Sequence, residues 1–345
     1  MKILISVQLL RSIAAYLVVF CHIPADLIPP EISFLKGAFG VDIFFVISGF
    51  IMTRIALDNE QGAVAAWSFF RRRLIRIFPI YLIINLAIFF SVYFKAGVVP
   101  NSEFFLQSLL LIPTSGENGI LIFPYIGAAW TLSFEIFFYS VVALLTLFKS
   151  FNFWNLAGIL TILAAFGCFI QPHNAIFGLM VASINIEFLY GASIFVIFKK
   201  YGVLFNGYVG IGFIGLALIS FSFLGQGAAN GAPGPYEGMQ IMFESTSLPR
   251  FVAWGIPSAF LLYGALCTET RLKNIWLSPV IYKLGDASYS LYLIHAFLIY
   301  VMSRFLNMQN PIWIIAILAF VSLSSLMIYR FLERPIMSSL NKRPI

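Results

Sequence analysis

Ten apolar runs, each long enough to cross a bilayer, constrain this chain more than anything else in it. They fall at roughly 5–27, 38–57, 75–95, 128–148, 153–170, 178–198, 203–224, 250–268, 282–302 and 312–332, and a helix needs about 20 residues to span the hydrocarbon. Of the 345 residues, 61% are apolar and 10% charged, against about a quarter charged in soluble domains. A water-soluble fold would have almost nothing polar to turn outward. In lipid every backbone group needs an internal partner, so the expected fold is an all-α polytopic membrane bundle of about ten transmembrane helices. It is read as one domain over 1–345, with no fused extracytoplasmic domain. The first run is not read as a cleaved signal peptide, because no small-residue cleavage site follows it and the rest of the chain is polytopic.

Basic residues set the expected orientation. With both termini in the cytoplasm, only Lys36, Lys95, Arg250 and Arg304 of the 21 Lys and Arg fall on the outer side, a strong positive-inside bias. The net charge of +7 is therefore mostly topology and calls for no nucleic-acid partner. Cys21, Cys168 and Cys267 lie within or at the edge of spanning runs. Their odd count argues against a disulfide framework, and their spacing against a metal site.

Three connecting stretches stand out. Residues 96–127 hold EFFLQSLLLI and ILIFPYIG, apolar pieces too short to cross, which read as interfacial or re-entrant. Residues 225–249 are rich in Gly, Ala and Pro and read as an outer loop. Residues 58–74 read as an inner loop ending in FFRRR.

Polar residues inside the runs carry the functional argument, because ionisable groups in lipid are costly. Arg11 and His22 lie eleven residues apart in RSIAAYLVVFCH. At about 100° per residue they share one helix face, about 16 Å apart along the axis. Arg11 could instead snorkel inward while His22 sits at the outer interface. Glu135 lies in WTLSFEIFFY behind Trp130, with Tyr139 one turn later on the same face. His295 lies mid-run in SYSLYLIHAFLI with Tyr292 just before it, and Asp286 reads as the N-cap of that helix. Asp42 enters the second run in GVDIFFVISGF, where Ser48 and Gly49 read as a close-packing point. Asp42 and Asp286 fit structural pairs equally well. Glu187, in SINIEFLYGASIF, is a charge in the sixth run that is either acceptor-specific or paired. His22, His295 and Glu135 fall at comparable depth and suggest proton handling.

Arg71, Arg72, Arg73 and Arg76, in FFRRRLIRIFPIYL, exceed what topology requires. Arginine forks well onto phosphate oxygens. Anionic lipid headgroups and a phosphorylated cytosolic cosubstrate are equal candidates on physical grounds.

Together R-x10-H in the first run, FGVDIFFVISGFIMT, FFRRRLIRIFPIYL, AAWTLSFEIFFY and LGDASYSLYLIH resemble the acyltransferase 3 family, in the family's order and over essentially the whole chain. These are integral-membrane acyltransferases of the bacterial cytoplasmic membrane that modify exopolysaccharide, O-antigen, lipo-oligosaccharide or peptidoglycan sugars. The resemblance implies ten core helices, no bound cofactor or metal, acyl-CoA (chiefly acetyl-CoA) as donor, and a carbohydrate acceptor. It makes His22 and Arg11 the motif histidine and arginine, Arg71 to Arg76 the basic motif, and Trp130 to Tyr139 the tryptophan-to-glutamate block. It gives no expectation for Glu187.

The expected mechanism follows. CoA phosphates rest on Arg71–Arg76 at the inner face. His22 takes the proton from a sugar hydroxyl that attacks the thioester carbonyl. Arg11 steadies developing charge, Glu135 orients the histidine or the acceptor, and an acyl-histidine relay stays open as an alternative. Two other classes compete: a proton-coupled transporter, which predicts paired half-helices and internal repeats, and a scaffolding protein, which would not need polar groups on so many spans.

Overall fold

The computed structural model of the protein describes residues 4–24, 27, 39–96, 102–115, 121–122, 126–170, 174–229, 249–305 and 312–341. All ten apolar runs are helical there. The long helices are α1 (Ile5–His22), α2 (Gly40–Leu57), α3 (Ala63–Ala96), α5 (Trp130–Leu147), α6 (Phe153–Phe169), α8 (Ile186–Tyr201), α9 (Gly207–Ala229), α10 (Ile256–Cys267), α12 (Ser278–Phe305) and α13 (Ile312–Ile328). Shorter helices lie between or after them: α4 (Ser102–Leu109), α7 (Ala175–Val181), α11 (Glu269–Lys273) and α14 (Arg334–Leu340). A π-helical turn, Phe251–Gly255, leads into α10, and another, Tyr329–Glu333, joins α13 to α14. Among the described residues the only strands are Thr114–Ser115 and Leu121–Ile122, two residues each and antiparallel, with Thr114 opposite Ile122. The all-helical reading stands.

Six helices are long and apolar enough to cross a membrane, or seven if the bent pair Ala175–Val181 and Ser183–Tyr201 counts as one span. Phe153–Phe169, Gly207–Phe223 and Phe251–Cys267 are shorter apolar helices. Large apolar side chains left mostly exposed, such as Phe94, Trp154, Phe223 and Ile315, match lipid-facing surface. This is a multi-pass membrane protein.

Two local expectations need correction. The inner loop ending in FFRRR is much shorter, because α3 starts at Ala63 and carries Arg71 to Arg76 within its first half. AVAAW supplies good helix formers, so the helix runs on beyond the apolar run. Asp286 is not an N-cap: α12 begins at Ser278, and the aspartate lies inside it. The Gly- and Pro-rich stretch between 230 and 248 and half of ILIFPYIG lie outside the described residues.

Chain contacts form two compact units. The first comprises Met1–Arg54, Ile186–Ala232 and Ser245–Tyr329. Within it α1 packs on α12 and α12 on α13. Ala15, Val19 and Ile23 meet Leu291, Ile299, Ile314, Ile317 and Val321 in a dry core. Helix α2 lies against α8 at a glycine crossing, where a Cβ on Gly49 would overlap the Phe188 backbone and one on Gly191 the Val46 carbonyl. That close approach is the packing point read from Ser48 and Gly49. The α1 N-terminus is capped from a distance: the Glu269 carboxylate accepts from Ile5 N at 3.2 Å and Ser6 N at 2.9 Å.

The second unit comprises Ile55–Asn185, Pro233–Glu244 and Arg330–Ile345. Its centre is α3 against α5, with Phe69 and Tyr139 edge-to-face at 6.4 Å. Tyr81 O–H donates to the Ser108 carbonyl and accepts from Asn85 at 2.8 Å, which seats α4 on α3. At one end the α2–α3 turn is tied to the α5–α6 turn. Gly62 N–H donates to Thr146 O at 2.8 Å, and the Gln61 amide bonds both the N–H and the carbonyl of Phe151. Gly62, with φ +123°, makes that tight turn possible.

Candidate active site

In the first unit α1 brings His22 to its last residue, and α12 brings His295 to the same place. His295 Nε2 lies 3.2 Å from His22 Nδ1, with the rings edge-on at 4.7 Å. His22 Nδ1 is also 2.9 Å from the Val18 carbonyl, and His295 Nδ1 is 2.8 Å from the Tyr292 carbonyl. His295 is completely buried, whereas His22 is exposed. One imidazole thus faces open space with a second behind it. Tyr292 is buried beside the pair, its ring 6.1 Å from that of His295.

Arg11 is held by a polar chain through the apolar packing. Its NH1 donates to Gln8 Oε1 at 3.0 Å, Gln8 Nε2 donates to Asp286 Oδ1 at 2.6 Å, and Tyr329 O–H donates to Asp286 Oδ2 at 3.3 Å. Gln8 is buried, and Gly285 lets α12 come close to it. The sequence reading passed over Gln8, although its place one turn before Arg11 (i, i+3) is a legible signal.

A second charged group in this unit was only half legible. Asp42, in the first turn of α2, is completely buried and takes both arms of Arg250, with Nε to Oδ1 and NH2 to Oδ2 each at 2.8 Å. Trp254 lies under the guanidinium at 4.6 Å. Glu187, in the first turn of α8, is also completely buried and adjoins Asp42 and Arg250. Of the two readings of Glu187, the structure therefore favours pairing, within an Asp–Arg–Glu group. On the sequence Arg250 is only an outer basic residue. Ser48 lies buried further along α2.

In the second unit Glu135 is half-buried on α5, with Trp130 edge-to-face on Phe134 at 5.6 Å and Tyr139 buried. The four arginines of α3 face different ways. Arg71 donates to the Leu340 carbonyl at 2.8 Å, and Arg76 pairs with the completely buried Glu333 and touches Met337 Sδ at 3.2 Å. Arg73 turns towards α5, within electrostatic reach of Tyr139 and Glu135. Arg72 donates to Ser68 Oγ at 2.6 Å and lines a cavity of about 530 Å³. The same cavity is lined by Lys149, Asn59, Glu60, Gln61, Gly62 and Thr146 at the tied turns. On the sequence Lys149 is only one of the inner basic residues.

One ionisable group outside the spans is displaced. Burial pushes the Glu269 carboxyl up, but hydrogen bonds from Ser6, Ile5 and Lys273 outweigh it and hold the group below its ordinary value. Among the described residues no cluster of three or more His, Cys, Asp or Glu could hold a metal ion.

A family model described as an acyltransferase domain matches residues 4–330. The exopolysaccharide production protein ExoZ of Rhizobium meliloti is 31% identical over 317 residues, covering 88% of this chain and 90% of that protein. The peptidoglycan O-acetyltransferase OatA of Listeria monocytogenes is 28% identical over 156 residues, 44% of this chain and 22% of that protein. No solved structure matches the chain at a significant level. With nearly the whole chain inside the family model, the protein belongs to the acyltransferase 3 family of membrane acyltransferases.

Proposed function

We propose that this protein is an O-acyltransferase of the bacterial cytoplasmic membrane. It moves an acyl group, chiefly acetyl, from acyl-CoA on the cytoplasmic side to a hydroxyl of an exported glycan, with His22 as general base. The observation that carries the reading is the exposed His22 imidazole backed by the buried His295. In the reaction the sugar hydroxyl attacks the thioester carbonyl while His22 takes its proton. The C–S bond then breaks, and the departing thiolate receives the proton. Proton transfer by a positioned side chain contributes about 10²–10⁴-fold.

The donor reading rests on the cavity beside Arg72 and Lys149, where two cations, with the Glu60 carboxylate also on the wall, line a space large enough for a phosphorylated group. It also rests on the crowding of Lys and Arg towards one side of the ten runs. A carbohydrate acceptor is supported by the relatives, one named for exopolysaccharide production and one for peptidoglycan O-acetylation.

The test uses purified protein in sealed, oriented vesicles, with acetyl-CoA supplied on one side and a glycan acceptor on the other. Acetyl-CoA consumption and O-acetyl product are expected only when the donor is on the cytoplasmic side and the glycan outside. Product formed only when both share the cytoplasmic side would leave an enzyme that acts before export. No acetyl-CoA consumption under any arrangement would refute the acyl-CoA reading.

A further inference from the structure

We infer that His295 is a positioning residue for His22: it accepts the His22 Nδ1 proton and so fixes the imidazole with a bare, outward Nε2. The inference rests on the reading of His22 as the base. It follows from counting donors and acceptors. Backbone carbonyls only accept hydrogen bonds, and a neutral imidazole has one N–H and one bare nitrogen. The Tyr292 carbonyl lies 2.8 Å from His295 Nδ1, so that nitrogen carries a proton and His295 Nε2 is bare. The Val18 carbonyl lies 2.9 Å from His22 Nδ1, so that nitrogen carries a proton too. The two assignments meet without conflict at the 3.2 Å contact, where His22 Nδ1–H faces the His295 Nε2 lone pair.

With both rings neutral, every other assignment puts like against like. Moving the proton of either ring to Nε2 turns a lone pair onto a carbonyl oxygen. Charging His295 sets its Nε2–H against His22 Nδ1–H. Among neutral pairs one arrangement is left, and it leaves the lone pair of His22 on Nε2, the nitrogen that neither Val18 nor His295 engages; a charged His22 is the same arrangement with a proton added there. A hydroxyl proton taken there makes the Nδ1–H bond to His295 charge-assisted, and hence shorter and stronger. No carboxylate hydrogen-bonds either ring among the described residues. A neutral imidazole therefore fills the place that an acid takes in other base-orienting pairs.

His22 needs this help because of where it stands. It is the last residue of α1, and the chain continues from Ile23 in an extended conformation. Helix α1 ends at this residue, and the contacts of the ring nitrogens are to the Val18 carbonyl and to His295 of α12. His295 is rigidly placed by contrast, buried within a 28-residue helix that packs on both α1 and α13.

The test joins spectroscopy with kinetics on the full-length protein in lipid. The chain has three histidines, so ¹⁵N resonances from histidine-labelled protein are few, and loss of one set in His22→Gln assigns His22. The expected wild-type spectrum shows Nδ1 protonated and Nε2 bare on His22. In His295→Leu the His22 signals should shift to a mixture of tautomers. The kcat for acetyl-CoA turnover should fall on the order of 100-fold, while KM for acetyl-CoA stays unchanged. His295→Gln, whose side-chain oxygen can accept the same bond, should recover much of the rate and restore the single tautomer. It also serves if the leucine variant fails to fold. A wild-type His22 protonated on Nε2, or a leucine variant with tautomer and kcat intact, overturns the proposal. If acetyl-CoA is not consumed at all, the donor reading fails, and the wild-type and His295→Leu spectra alone decide the role of His295.

Discussion

Asp42 and Arg250, 208 residues apart in sequence, meet in a two-armed fork with both bonds at 2.8 Å inside the α-helical packing. The fork joins the first turn of α2 to the start of the π-helical turn before α10, and Glu187 from α8 closes the group. Removing one partner of a buried pair strands the other, at a cost of about 3–5 kcal/mol. Arg250→Ala should therefore lower the melting temperature of the purified protein sharply. Arg250→Lys should recover only part of the loss, because an ammonium cannot reproduce the fork. Glu187→Gln keeps the shape and adds donors facing Asp42, so it should melt near the wild type. Thermal unfolding in detergent reads all three, and an unchanged Arg250→Ala would show that the fork is dispensable.

His22→Ala should abolish acyl transfer while the protein inserts, purifies and melts normally, because the ring is exposed and its removal opens no buried cavity. Activity within tenfold of wild type would end the general-base reading, since a proton-transfer residue contributes at least about 10²-fold.

The arginines of α3 should separate into two groups. Arg72→Gln and Lys149→Gln remove cations from the cavity and should each raise the KM for acetyl-CoA on the order of tenfold, from the loss of a bond worth about 1.5–3 kcal/mol. Added salt should weaken donor binding less in the double variant than in the wild type. Arg76→Gln strands the buried Glu333 and should show mainly as lower stability. Equal KM effects at Arg72 and Arg76 would contradict this division and restore a single four-arginine cradle.

Glu269 should make α1 sensitive to acid. Its folded value lies below the ordinary 4.5, so its contribution is fully present above that ordinary value and is lost as pH falls through the depressed one. Glu269→Gln should flatten the part of the melting-temperature profile below about pH 4.5 that this group supplies. Glu269→Ala should cost about 0.5–2 kcal/mol at neutral pH, the usual loss of an N-terminal cap. A Glu269→Gln profile that parallels the wild type below that pH would show that the cap contributes nothing.

The membrane class, the helical nature of the apolar runs and the polar residues set within them were legible in the chain. Apolar length and the scarcity of charge decide the first two, because lipid leaves the backbone no choice but internal pairing. The expense of ionisable groups in lipid picks out His22, His295, Asp42, Glu135 and Glu187 without any structure. The glycine crossing at Gly49 could be read because a small residue beside an apolar face has few other uses. What escaped were partners and directions. Glu187 has no named partner until α8 lies against α2 and Arg250, and Asp286 reads as a cap until Gln8 and Tyr329 take its carboxylate. The arginines of α3 form a single run on paper, yet about 100° of rotation per residue sends them to Leu340, the cavity, α5 and Glu333 in turn. Periodicity along a helix says which residues share its face. Which neighbouring helix supplies the hydrogen-bond acceptor is settled only when the helices pack, and so the sequence alone makes His22 the candidate base, while α12 sets the His295 nitrogen beside it.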